Sequence, residues 1–224
     1  MTLINAHTHL ECDKNIPSIV NATNPDDWEQ VKKVCLTSDR LYAAFGIHPW
    51  YITPAVLADR NVILDRLQTL LAEPYASLGE VGLDNSVGLE LSEQERILED
   101  QLSIADNLKS LVSIHCFAAF HRLLPIIKKH RLTYILHGYN GSPEITKSLL
   151  EYGTYFSFGC IQSSRMLKVA KLLEIIPPER LLTETDSKPN VDLITVATTL
   201  CRLKPLNEDI FAKNFYQLLP QKKA

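Results

Sequence analysis

The sequence predicts an α/β fold, a (β/α)8 (TIM) barrel formed as one compact domain over residues 1–224. Three observations predict it. Eight short, mostly apolar runs recur along the chain, and stretches of helical periodicity separate them. The turn after the first run is His7-Thr8-His9-Leu10-Glu11, with no glycine-rich phosphate loop. Strands alternating with helices make a parallel sheet, and eight strands close a barrel. An open doubly wound sheet would want the glycine loop at that first turn.

The runs are 2–6, 17–22, 41–46, 76–80, 111–115, 133–137, 154–158 and 180–184. Each is rich in Val, Ile, Leu or aromatic residues, as strands buried on both faces are. The first leads into the His7-x-His9 pair, and helical periodicity over 26–37 follows the second. The third precedes His48 and a helix over 60–72. The fourth ends on Glu80, after which Ser92 and Glu95 form a capping box that opens a helix to about Asn107. The fifth and sixth end on His115 and His137, with helices over 118–130 and 143–151. A helix over 164–174 follows the seventh, and Asp186 with helices over 192–203 and about 207–219 follows the eighth.

The formal net charge of −3, from 23 Lys and Arg against 26 Asp and Glu, leaves no global basic footprint for nucleic acid. Contact with phosphates would therefore be local, at a metal site. The densest basic runs, Lys128–Arg131 and Lys222-Lys223, read as solvated helix ends. No apolar stretch reaches the roughly 18 residues that span a bilayer. The start of the chain lacks the pattern of a secretory signal, and neither a membrane nor an obligate protein partner is expected. Five scattered cysteines with no C-x-x-C pair argue against disulfides and zinc ribbons and favour a reducing cytoplasm. Of these, Cys12, Cys116 and Cys160 come near the strand ends and read as small core residues, not thiolate ligands.

The metal-capable residues His7, His9, Glu80, His115, His137 and Asp186 all come at or just past the C-terminal end of an apolar run. That is the face where barrel enzymes assemble their sites. Steps of 71, 35, 22 and 49 residues from His9 through Glu80, His115 and His137 to Asp186 match whole βα units. The set therefore comes from strands 1, 4, 5, 6 and 8. Four imidazoles and two carboxylates are too many for one zinc and suit two divalent ions bridged by a carboxylate.

These motifs resemble those of the TatD family of metal-dependent deoxyribonucleases, within the amidohydrolase-like barrels, over nearly the whole chain. His7-Thr8-His9-Leu10 matches its H-x-H-L, Gly46-Ile47-His48-Pro49 its G-x-H-P, and Gly79–Asp84 its G-E-[IV]-G-L-D. Gln94 and Gln101-Leu102, the stretch Val112–His115, His137–Gly141 and Glu184-Thr185-Asp186 are similar to later family signatures, as are Asn214 and Leu218 of the closing helix. The resemblance implies that His7, His9 and Asp186 hold one metal, that His115 and His137 hold the other, and that Glu80 bridges them. It implies catalytic roles for Glu80 and for Asp186, the latter orienting a metal-activated water and accepting its proton. The ions would be Zn, Mg or Mn, and the substrate DNA or another phosphodiester. His48 matches no ligand position and would donate to a phosphate oxygen.

Two departures concern substrate. The family arginine two residues after the strand-5 histidine is Phe117 here, and the stretch between Asp186 and the last helix is short, with proline displaced by one residue to Pro189. Two rival readings follow. One is an amidohydrolase acting on a cyclic amide, ester or lactone, against which Glu80 stands where such enzymes often carry a carboxylated lysine. The other is a metal-binding member without turnover.

Overall fold

The computed structural model describes residues 2–219. The first half contains β1 (Asn5–Thr8), β2 (Ser18–Asn21), α1 (Trp28–Cys35), β3 (Leu41–Phe45), α2 (Pro54–Ala58), α3 (Arg60–Leu71), β4 (Ala76–Asp84) and α4 (Leu91–Leu108). The second contains β5 (Val112–Phe117), α5 (Phe120–Lys129), β6 (Tyr134–Leu136), α6 (Pro143–Leu150), β7 (Thr154–Phe158), α7 (Met166–Ile175), β8 (Leu181–Thr183), α8 (Leu193–Leu203) and α9 (Ile210–Leu218). The eight strands form one parallel sheet in sequence order. Side chains then bring β8 round to β1. Thr183 Oγ1 donates to the Ile4 carbonyl at 2.9 Å, Asn5 clasps Thr185 at 2.9 and 3.0 Å, and Asp186 N donates to the His7 carbonyl at 3.0 Å.

All eight strands appear where apolar runs predict them, and every residue of β1, β2, β4, β6 and β8 is buried. Helices present one apolar stripe to this sheet. On α1 the buried positions are Trp28, Val31 and Cys35, one face of a 3.6-residue period. Trp28 is fully buried and donates its indole N–H to the Gly46 carbonyl at 3.0 Å. Burial of each such side chain contributes about 1.5–3 kcal/mol. No helix among the described residues is long and apolar enough to cross a membrane.

Four expectations need correction. Glu80 and His115 do not end their strands, because β4 runs on to Asp84 and β5 to Phe117; the register of the two shifts between Leu78 and Val81, around Gly79 and Glu80. Ser92 does not cap α4. The helix starts at Leu91 with Glu90 at the cap, and Gln94 turns inward, bonding the Asp84 N–H at 2.8 Å and the Leu89 carbonyl at 2.8 Å. The short α2 and a 3-10 turn over Pro49–Tyr51 lie in a stretch without helical periodicity; Thr53 caps α2 and Pro54 opens it. Among the cysteines, Cys116 is buried as expected, but Cys12 is partly exposed and Cys160 exposed.

The basic run at 128–131 behaves as a solvated helix end. Lys129 pairs with Glu99, and Lys128 lies 5.6 Å over the Tyr152 ring. Lys222-Lys223 fall outside the described residues.

Candidate metal centre

The barrel mouth gathers side chains from β1, β3, β4, β5, β6 and the segment after β8. His7 lies within β1 and His9 just past it; their rings meet edge to face with centroids 5.1 Å apart. Glu80 stands at the middle of the group. Its Oε1 lies 2.8 Å from His137 Nε2, 3.2 Å from His115 Nδ1 and 3.4 Å from His48 Nε2. Its Oε2 lies 3.4 Å from His7 Nε2 and 3.6 Å from His9 Nε2. Asp186 Oδ1 approaches the same two nitrogens, at 3.7 Å and 3.4 Å. The structure thus brings together all seven residues singled out in the sequence.

Four of the five imidazoles are aimed by a second bond, while His137 Nδ1 has no hydrogen-bond partner. A carbonyl can only accept, so His9 Nδ1 donates to Asn21 O at 2.9 Å and turns the lone pair of Nε2 inward. His115 Nε2 donates to Asp84 Oδ2 at 3.0 Å, leaving Nδ1 to face Glu80. His7 Nδ1 bonds Ser113 Oγ at 3.1 Å, while its buried Nε2 has no hydrogen-bond partner. His48 is set the other way. Its Nδ1 accepts from Trp50 N at 3.2 Å, so neutral His48 carries its proton on Nε2 and points a donor into the mouth.

The segment after β8 is bent to fit. Asp186 and Ser187 adopt φ of 54° and 50°, a left-handed conformation that is costly for residues other than glycine. Ser187 Oγ accepts from His9 N at 2.7 Å and bonds Thr8 Oγ1 at 3.0 Å, which pins the bend to β1.

The charges are strongly coupled. Burial opposes ionisation of Glu80, yet His137 and His7 outweigh it and hold the carboxyl well below its usual range. Burial likewise disfavours His137 as a cation, but Glu80 and Glu184 raise it well above an ordinary histidine. Against the same burial, His9 and its neighbours keep Asp186 ionised, and Asp186 with Glu80 raises His9. Burial, helped by the charge on His137, lowers His7. Burial also pushes His48 down to about 4. Burial drives Cys116 up to about 12, a protonated thiol and no ligand.

Among the described residues, three groups have ligand atoms close enough to hold an ion: His7, His9 and Asp186; His7, Glu80 and His137; and His48, Glu80 and His115. The donor set fits a divalent metal. Nitrogen lone pairs and carboxylate oxygens converge in a buried space, and His7 Nε2 has no other partner there, an arrangement that is costly to keep desolvated without a cation.

Three participants have no role assigned from the sequence. Asp84 orients His115 and accepts from Trp50 Nε1 at 2.7 Å. It lies four residues beyond Glu80 on one strand, and period-two alternation over a longer β4 is the signal for it. Glu184 is buried and accepts from Gly138 N at 2.7 Å, with Oε1 3.9 Å from His137 Nδ1. Lys188 Nζ lies 2.6 Å from Asp186 Oδ2. Phe117 ends β5 and is 48% exposed.

The model of a family described as TatD related DNase matches residues 7–211. A human protein named 3′-5′ RNA nuclease TATDN2 is 32% identical over 174 residues, which is 71% of this chain and 21% of that protein. The 3′-5′ ssDNA/RNA exonuclease TatD of Escherichia coli K12 is 29% identical over 176 residues, 75% of this chain and 66% of its own length. The chain therefore spans about a fifth of the human relative and just under two thirds of the bacterial one. The crystal structure of YjjV, a TatD homologue from E. coli K12, superposes with a TM-score of 0.83 at 24% identity, covering 97% of this chain and 98% of that one. This last likeness is one of fold.

Proposed function

Because the chain belongs to the TatD related DNase family, we propose that it is a metal-dependent nuclease hydrolysing phosphodiester bonds of single-stranded DNA or RNA. The observation that carries this reading is the division of Glu80, whose Oε1 faces His115 and His137 while Oε2 faces His7 and His9. A carboxylate so placed suits two divalent ions, zinc, magnesium or manganese. His7, His9 and Asp186 would hold one and His115 with His137 the other, with Glu80 shared. When bound, the ions supply Lewis-acid polarisation of the phosphodiester and a lowered pKa for water.

The chain's own residues supply the rest. Asp186, held ionised, orients the attacking water and accepts its proton on the carboxylate. His48, neutral and with its proton on Nε2, donates to a phosphate oxygen. Asn21 and Asp84 fix the tautomers of His9 and His115, so that lone pairs already point inward before substrate arrives.

The test is cleavage of single-stranded DNA, single-stranded RNA and an uncharged ester by purified protein with Mg²⁺, Mn²⁺ or Zn²⁺, beside His115→Ala and Asp186→Ala. Metal-dependent nucleolysis lost in both variants is expected. Ester turnover without nucleolysis, or metal binding with no turnover at all, would overturn the reading.

A further inference from the structure

We infer that Lys188 is the cation that contacts the substrate phosphate at this centre. The inference rests on the nuclease reading above and concerns where the mouth carries positive charge. The side chains lining the space over Glu80, from His9 through His48 and Trp50 to Asp186, include no lysine or arginine. Lys188, Arg165 and Lys168 line a neighbouring cavity that shares Asp186 with the histidine cluster.

Lys188 is the one placed at the ligands. Asp186 turns Oδ1 to His9 Nε2 at 3.4 Å and Oδ2 to Lys188 Nζ at 2.6 Å, so one carboxylate separates the ammonium from the centre. Lys168 Nζ is engaged by the Asn140 carbonyl. The backbone that carries Lys188 is fixed, since Asp186 N and Ser187 Oγ are tied to His7 O and His9 N, and Lys188 N donates to Thr185 O at 3.1 Å. Its side chain stays 57% exposed. A rooted backbone with an exposed side chain suits a group that meets an incoming anion, and a single strand offers one charge per phosphate.

By the resemblance to the family, position 117 carries phenylalanine where an arginine is expected, and the segment after Asp186 carries Lys188 just before Pro189. The competing account is that Lys188 only restrains Asp186.

The experiment compares wild type, Lys188→Met, Lys188→Arg and Lys188→Met with Phe117→Arg. It measures kcat and KM on a single-stranded oligothymidylate across a NaCl series, with metal content determined in parallel. For Lys188→Met, KM is expected to rise about tenfold, the loss of roughly one charged hydrogen bond. The slope of log KM against log salt should fall by about 0.7. Lys188→Arg should stay near wild type, and adding Phe117→Arg to Lys188→Met should recover most of the KM. A fall in kcat or metal content with KM and salt slope unchanged would make Lys188 a restraint on Asp186 and overturn the inference. Unchanged kinetics in Lys188→Met beside an active wild type would overturn it alone, whereas a wild type that never cleaves the strand overturns the nuclease reading with it.

Discussion

Asp84 Oδ2 stands 3.0 Å from His115 Nε2, and the carboxylate is itself held by Trp50 Nε1 at 2.7 Å and by the Ser86 N–H at 2.8 Å. Its bond to His115 fixes the proton on Nε2, so that Nδ1 presents a lone pair toward Glu80. Asp84→Ala should weaken metal binding by about 10–100-fold, in line with loss of an outer-shell partner. Asp84→Asn, which keeps an acceptor oxygen, should lose less. Titration against a chromophoric chelator measures both, and wild-type affinity in Asp84→Ala would show that His115 needs no such orientation.

Glu80 is expected to matter more than any single outer partner, because each of its oxygens faces a different histidine pair. Glu80→Gln retains the volume but loses the charge and one acceptor. Bound metal after dialysis, read by plasma mass spectrometry, should fall to one equivalent or less. Activity should drop by more than about a hundredfold, beyond the upper range for outer-shell changes. Two equivalents retained in Glu80→Gln would contradict a shared carboxylate.

His48 gives a pH prediction for the metal-free protein. Burial lowers its pKa to about 4 from 6.5, so the folded state resists a proton that the unfolded chain accepts. Above about pH 7.5 both states are neutral and the group is silent. As pH falls from there to about 4 the unfolded chain binds more protons and stability declines, levelling off at a loss of roughly 3 kcal/mol. Urea midpoints at pH 7.5, 6.5, 5.5 and 4.5 should diverge between wild type and His48→Gln, with wild type losing more on acidification. Parallel curves would mean that His48 titrates normally.

The parts of the site that could be read from sequence are those that obey strand periodicity. His9 and His137 lie just past strand ends, and His7 and His115 one and two residues before them, because parallel strands read as short apolar runs with a polar residue near the mouth. Capping and packing were harder to read. Ser92 has the right spacing for a cap, but Gln94 finds better partners in the barrel end and the helix begins earlier. Trp50 and Asp84 meet across 34 residues, through a 3-10 turn with no periodic signal. Lys188 is positioned by two left-handed residues, Asp186 and Ser187, whose side chains do not announce that conformation. Local pattern therefore locates the candidate ligands, and tertiary contacts decide how each is aimed.

Gly82 tests how closely β4 must approach β5 for His115 to reach the centre. The two residues are direct register partners, and a Cβ on Gly82 would lie 1.8 Å from the His115 carbonyl oxygen, about a bonded distance. The obstacle is backbone, so no rotamer change relieves it, and the φ of 154° at Gly82 adds strain for any side chain. Gly82→Ala must push the strands apart, at a cost of about 3 kcal/mol or more. For a chain of this size that lowers the melting temperature by about 6–12 °C. Because the displaced atom is the backbone of His115, metal affinity should fall even in the fraction that stays folded. Gly88 provides the contrast: a Cβ there meets nothing within 4 Å, so Gly88→Ala should stay within about 0.5 kcal/mol of wild type. Calorimetric melts of the two variants, with and without metal, separate the cases, and equal melting temperatures would mean that the β4–β5 approach does not hold His115 in place.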